Sequence, residues 1–112
     1  MHIPLRQLIL DEVLQVIGTV QPLVAMVSRR DRNLASQIRR ALSGVALNVA
    51  EGFGTAAGNA RLRFESARGS LYETQAGIRV AIAWGYLSPA DAASALGALD
   101  HLAGRVYGLA RH

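Results

Sequence analysis

The stretch NLASQIRRALSGVALNVAEG (33–52) decides the fold of this chain. Large apolar residues recur along it at steps of four and three, at Leu34, Ile38, Leu42, Val45 and Val49, and the series continues to Phe53. This spacing is typical of one face of an α-helix that packs against a core. Asn33 has a side chain suited to capping the first turn. The stretch therefore predicts an amphipathic helix over residues 33–52.

The same periodicity appears on both sides of this stretch. An earlier segment, residues 4–27, contains Pro22, which we expect to kink or frame its last turn because proline removes a backbone hydrogen bond. A later segment, residues 60–84, predicts a third helix. Residues 52–59 between the second and third helices include three glycines and are predicted to form a loop.

A fourth helix is predicted by its start signals. Gly85 fits a left-handed helix end, with Tyr86 and Leu87 folding back as an apolar cover. The sequence SPAD (88–91) then supplies a serine cap, a proline at the first helical position and an acid in the first turn. No stretch alternates with period two. The prediction is an all-α, up-down-up-down four-helix bundle, with residues 1–112 as a single domain.

The chain is more apolar than an isolated bundle requires. Apolar residues make up 51% of the sequence, whereas about 43% suffices for three core positions in seven. The third helix carries a second apolar line beside its core line, at Gly69, Tyr72, Ala76, Val80 and Ala83. Spare apolar surface indicates a partner, and identical subunits are the commonest partner. We expect a homo-oligomer.

Positive charge is concentrated in the middle of the chain. All twelve basic residues are arginine. From Arg29 to Arg79 there are nine arginines against four acids, a net charge of +5, whereas the rest has three arginines against four acids. Arginine suits phosphate and carboxylate, although a solvated helix face explains the same pattern. The candidates for nucleic-acid binding flank the second and third helix starts: Arg29, Arg30, Arg32, Arg61 and Arg63.

Several polar residues lie within apolar helix faces. Arg39 and Arg40 are adjacent and point about 100° apart, while Asn48 and Glu51 share one side of the second helix. We interpret them as a buried or interfacial charge network that joins the second and third helices. Its members are Arg39, Arg40, Asn48, Glu51 and Glu73. The alternative is a specific site for a phosphate or a peptide.

Residues suited to catalysis or metal binding are sparse. Cysteine is absent, which excludes disulfides and thiolate sites. The three histidines, His2, His101 and His112, lack the spacing of a metal site. The glycine-rich stretch 52–58 has no Gly-Lys-Ser/Thr and joins two helices, unlike a P-loop. We expect no enzyme activity, no metal and no cofactor.

The location of the protein is predicted from its apolar segments. The most apolar early stretch, residues 13–27, is interrupted by polar residues, glycine and proline and falls short of the ~20 residues of a membrane span. The first residues lack the basic region of a secretory signal. We expect a cytoplasmic protein with no membrane association.

Four blocks of sequence carry a family resemblance. They are SQIRRA (36–41), NVAEGFG (48–54), RGSLYE (68–73) and GYL (85–87). In this order and spacing they resemble the four-helix-bundle proteins encoded within intervening sequences of bacterial large-subunit ribosomal RNA genes. The chain is also similar to the related accessory variability determinant protein of diversity-generating retroelements.

The resemblance implies a cytosolic homo-oligomer, a five-membered ring, that associates with RNA or other nucleic acid. The chain departs from the family pattern at Ala46, where a proline is usual, and over residues 56–60, where a basic segment is usual. Two hypotheses follow: a nucleic-acid-binding oligomer, and a protein-interaction scaffold whose arginines are structural. Because aromatic residues are few, we expect nucleic-acid binding to depend on phosphate contacts rather than base stacking.

Overall fold

Four helices account for the fold in a computed structural model that describes residues 3–111, apart from the side chain of Ala57. They are α1 (Leu5–Ser28), α2 (Arg32–Phe53), α3 (Ala57–Ala83) and α4 (Pro89–Arg111). Each packs against the next, α1 also packs against α4, and no strand occurs between residues 3 and 111. The predicted all-α four-helix bundle is confirmed. His2 and His112 lie outside the described residues.

The predicted apolar stripes form the core. In α1 the buried residues include Val13, Val20 and Val27, none of which has measurable exposure. α2 buries the residues of its predicted stripe from Leu34 to Val49 on one side, whereas Leu47 is exposed. The helix α1 runs unbroken through Pro22, whose ring is exposed. The periodicity of the sequence therefore identified which face of each helix turns inward.

The start of α2 differs from the prediction. Asp31, and not Asn33, is the N-cap: its carboxylate accepts a hydrogen bond from the Leu34 N–H at 2.9 Å. Asn33 lies inside the first turn of the helix. The prediction was wrong because both residue types are good caps, and only the backbone geometry selects between them.

The loop between α2 and α3 is shorter than predicted. Only residues 54–56 lie outside the two helices, and Gly52 and Gly58 belong to helical turns. Gly52 has a packing role, because a Cβ atom there would overlap the buried Phe64 ring. Glycine at this position is therefore required by the contact between helices and not by a flexible loop.

The turn between α3 and α4 has the predicted form. Gly85 has a φ of +80°. Its N–H donates to the Ile82 carbonyl at 2.9 Å, and the Tyr86 N–H donates to the Ala81 carbonyl at 2.8 Å. These two bonds and the buried Leu87 form a Schellman end to α3. The direction in which the chain leaves α3 is thereby fixed.

The start of α4 is held by a reciprocal cap. The Ser88 N–H donates to the Asp91 carboxylate, and the Asp91 N–H donates to the Ser88 hydroxyl, both at 3.0 Å. The bond from the Ser88 backbone is the main reason that the pKa of Asp91 lies below its ordinary value. The predicted serine cap is confirmed.

Three glycines lie at the contact between α2 and α3, which are the most closely packed pair of helices. A Cβ atom on Gly77 would lie 2.7 Å from Cγ1 of Ile38, and one on Gly44 would lie 3.1 Å from Oγ of Ser70. The Gly52–Phe64 contact completes the series. Because the missing Cβ atoms let the two backbones approach, larger residues at these positions would separate the helices.

Replacing Gly77 by alanine should destabilise the fold by about 1–3 kcal/mol, because the added methyl group overlaps the buried Ile38 side chain. Gly97→Ala is the matched control, because a Cβ atom there would have no other group within 4 Å. Alanine has the higher helix propensity, so this variant should gain up to about 1 kcal/mol. Urea denaturation measures both, and equal stability of the two variants would contradict the packing argument.

Candidate nucleic-acid interface

The up-down-up-down topology places two turns at the same end of the bundle. The turn 29–31 between α1 and α2 and the turn 84–88 between α3 and α4 form what we call the turn end. The turns touch, because the Arg30 guanidinium lies 5.5 Å from the centroid of the Tyr86 ring. Residues far apart in the sequence thus share one surface.

Three of the predicted arginines lie at this end. Arg29, Arg30 and Arg32 are exposed, and none forms an ion pair with a carboxylate anywhere in residues 3–111. Asp31 lies among them, but its carboxylate caps α2. Burial and then the negative charge of Asp31 raise the pKa of the Tyr86 hydroxyl, and Arg30 opposes the rise. The cluster keeps a net positive charge.

Arg39 and Arg40 continue the positive surface along α2. Both are exposed and unpaired within the described part of the chain. Arg32 and Arg39 are seven residues apart and so lie on the same helix face, about 10 Å apart along the axis. We call Arg29, Arg30, Arg32, Arg39 and Arg40 the basic surface.

The predicted network between these arginines and Glu73 is not formed in the chain. Arg39 lies in a groove of about 330 Å³ against Val20 and Val24 of α1. Glu73 lies in a different groove, next to Leu34, on the side of α2 that faces α3. Because α2 separates the two grooves and all three charged side chains are exposed, these arginines form no buried seam with Glu73 within residues 3–111, and the interfacial form of the network stays a prediction.

The other two members of the predicted network make separate contacts. Asn48 donates from its side-chain amide to the Gly44 carbonyl of its own helix at 2.9 Å. Glu51 does join α2 to α3, through Arg63 with an Nε to Oε2 distance of 3.3 Å. Both side chains of that pair are about half exposed, so it contributes little to stability.

Arg61 and Arg63 lie at the opposite end of the bundle. This loop end contains the connection 54–56 between α2 and α3, and it lies away from the turn end by about 30 Å, the length of 20 helical residues. Arg63 is neutralised by Glu51. The five candidate arginines therefore form two separate groups, and the larger and freer one lies at the turn end.

Two aromatic residues belong to the turn end and were not linked to the arginines by sequence reasoning. Tyr86 is half-buried against Arg30, and Trp84 is 67% exposed. More than fifty residues separate them from Arg30 along the chain. The signal that would have found them is the topology, since an up-down-up-down bundle brings its first and third turns together.

Residues with catalytic or metal-binding chemistry are not grouped in the described structure. Between residues 3 and 111 no three His, Asp or Glu side chains lie close enough to hold a metal ion. His101 is exposed. Thr74 is fully buried, but its hydroxyl donates to the Ser70 carbonyl at 2.9 Å. Its polar group is thus satisfied inside its own helix.

The helix α1 is longer than the apolar stretch judged from the sequence. Over Leu5–Ser28 it has the length and mean hydropathy of a membrane-spanning helix, so the sequence-based judgement that it is too short was wrong. A third of the most apolar 18-residue segment of this helix is buried in the bundle. Core helices of soluble proteins meet the same criterion, so length and composition give only weak support for a membrane span.

The family comparison agrees with this architecture. The family model described as 23S rRNA-intervening sequence protein matches residues 13–108. The chain belongs to this family. No curated protein and no solved structure is significantly similar to this family member. The resemblance seen in the four sequence blocks is confirmed, and the similarity to the retroelement protein stays a prediction.

Glu73→Ala should change the free energy of unfolding by less than about 1 kcal/mol, because the side chain is exposed and has no ion pair among residues 3–111. The neighbouring Thr74→Ala is the comparison: it removes the hydroxyl and the methyl group of a fully buried side chain and should cost more than about 1 kcal/mol, as a small core truncation does. Thermal melts measure the stability of both variants. A larger loss of stability for Glu73→Ala than for Thr74→Ala would indicate that Glu73 does form a buried ion pair.

Proposed function

We propose that this member of the 23S rRNA-intervening sequence protein family is a non-enzymatic, oligomeric binding protein that associates with RNA or other nucleic acid through its arginines. The observation that carries the proposal is the basic surface. Five exposed arginines without carboxylate partners in residues 3–111 accompany one acid, Asp31, whose carboxylate is engaged as a helix cap.

The arrangement suits a phosphate backbone. Guanidinium groups bind phosphate oxygens with two parallel hydrogen bonds, and cations spaced along a helix can contact successive phosphates. Contacts of this kind give affinity without reading sequence. RNA is the first polyanion to test as the partner, because the name of the family refers to 23S rRNA.

Self-association is the second part of the proposal. Large apolar side chains remain exposed on the single chain, among them Leu47 at 66%, Leu62 at 65% and Tyr72 at 75%. Covering such residues favours association of identical copies. A cytoplasmic ring of five subunits is the form implied by the family resemblance, and it would repeat the basic surface in every subunit.

A protein-interaction scaffold is the alternative function. A groove of about 680 Å³ between α3 and α4 is lined by Tyr72, Tyr107 and Gly104. The Arg68 guanidinium lies 4.5 Å from the centroid of the Tyr107 ring and also contacts Glu65 at 3.5 Å. The groove is thus aromatic and carries little net charge, which suits a peptide better than a nucleic acid.

Salt-dependent binding tests the nucleic-acid proposal. We expect the double variant Arg29→Gln/Arg32→Gln to lower the slope of log affinity against log salt by about 1.4 on a single strand and about 1.8 on a duplex. Arg61→Gln/Arg63→Gln removes the same charge at the loop end and should leave the slope nearly unchanged. Fluorescence anisotropy of labelled oligonucleotides gives both values.

The outcomes of this experiment separate the hypotheses. Equal losses in the two double variants would mean that phosphate contacts are not concentrated at the turn end. If neither RNA nor DNA binds the parent protein at low salt, nucleic-acid binding is rejected and the scaffold function takes its place.

Light scattering tests self-association. At micromolar concentration the measured mass should be several times the 11.9 kDa of one chain, because exposed apolar side chains are covered between copies. The measurement is repeated in high salt, where apolar contacts persist and ionic ones weaken. A stable monomer under both conditions would contradict the oligomer.

A further inference from the structure

We infer that the turn end binds a single-stranded segment of RNA or DNA, with the indole of Trp84 stacking on an unpaired base while the neighbouring arginines bind its phosphates. This inference rests on the proposed function and narrows its ligand from nucleic acid in general to strands with unstacked bases. It is carried by the position and exposure of Trp84.

Trp84 is held by its backbone and free at its side chain. Its N–H donates to the Val80 carbonyl at 3.0 Å, and the next residue, Gly85, has the φ of +80° that ends α3. The ring is nevertheless 67% exposed. Burial of an indole is among the largest apolar contributions to folding. At Trp84 the backbone is fixed, but the exposed ring does not contribute to the stability of the fold in this way.

The arginines lie at the same end of the bundle as this residue. Tyr86, two residues further along the same turn, has its ring 5.5 Å from the Arg30 guanidinium. Arg29 and Arg32 flank Arg30 in the chain. The turn end therefore combines an exposed aromatic ring with positive charges that have no carboxylate partner in the described residues.

This combination is the one that single strands require. Proteins that bind single strands pair a basic surface with aromatic side chains on which bases stack. In a duplex the bases are stacked on one another, and the deep, narrow major groove of A-form RNA excludes side chains. An exposed indole can stack only where a base has a free face, which single strands offer at every unstacked base and a duplex offers only at its ends.

The other exposed aromatic surface is less suitable. Tyr107 is already contacted by two guanidinium groups, Arg68 at 4.5 Å and Arg111 at 5.5 Å from its ring centroid. Tyr72 is highly exposed, but it lines a groove that also contains Glu65 and Asp100. Arg68 in the same groove does not outweigh these two carboxylates, so the groove has no net positive charge to attract phosphates. For base stacking, the low number of aromatic residues thus matters less than the position of Trp84 at the turn end.

Trp84 is the single tryptophan of the chain, so its fluorescence reports on this site alone. We expect quenching when the protein is titrated at low salt with a single-stranded oligouridine or oligoadenosine of about 12 nucleotides, a length within the site sizes of single-strand binding folds. A blunt duplex of the same length and of G·C-rich sequence, which stays paired at low salt and has free base faces only at its two ends, should quench the emission far less. Quenching that is equal with the duplex would overturn the inference.

Substitutions test whether the ring itself binds. Trp84→Leu keeps an apolar side chain but removes the stacking surface, and it should weaken binding of the labelled single strand by about tenfold. Trp84→Phe should retain part of the affinity. Tyr107→Leu, which removes an exposed ring away from the turn end, should bind as the parent protein does. Circular dichroism melts check that each variant is folded.

The results separate the inference from the proposed function. If Trp84→Leu binds normally while Arg29→Gln/Arg32→Gln binds weakly, the stacking inference fails and nucleic-acid binding stands. If no oligonucleotide binds the parent protein, the proposed function fails as well. If the indole emission of the free protein shifts to the blue as its concentration rises, a second copy covers Trp84 and the inference is overturned.

Discussion

The close contact between α2 and α3 is the constraint on which the rest of the molecule depends. At Gly44, Gly52 and Gly77 the absence of a Cβ atom lets side chains of the opposite helix reach the backbone. This approach sets the distance and direction of α3 relative to α2. Because α3 then ends at Gly85 in a fixed left-handed turn, packing at the middle of the bundle determines the contact of Tyr86 with Arg30 and the position of Trp84 at the same end.

Charge and packing are separated on α2. One side of this helix buries its apolar stripe, and the other exposes Leu47 together with Arg32, Arg39 and Arg40, which have no carboxylate partners in the described residues. The ion pairs found among residues 3–111 lie elsewhere, at Arg63, Arg68 and Arg105. The arginines of α2 are therefore not engaged in ion pairs that stabilise the fold, and their positive charge is available to a ligand.

Sequence patterns predicted the helices and their inner faces because each depends on neighbours within a few turns. The cap at Ser88 and the left-handed Gly85 were predictable for the same reason. The contact of Arg30 with Tyr86 and the separation of Arg39 from Glu73 were not, because they depend on how helices are placed around the bundle. The glycines near residue 52 misled the loop prediction, since a glycine needed for helix packing has the same appearance in a sequence as one needed for a turn.

The polarity of the bundle has a practical consequence. Leu5 begins α1 and Arg111 ends α4 at the loop end, on the far side from the basic surface. Any tag, linker or fused domain attached to either helix would leave the bundle in that direction. Immobilisation through such an extension would present the arginines and Trp84 outward to the solution, whereas an insertion at residues 84–88 would cover them.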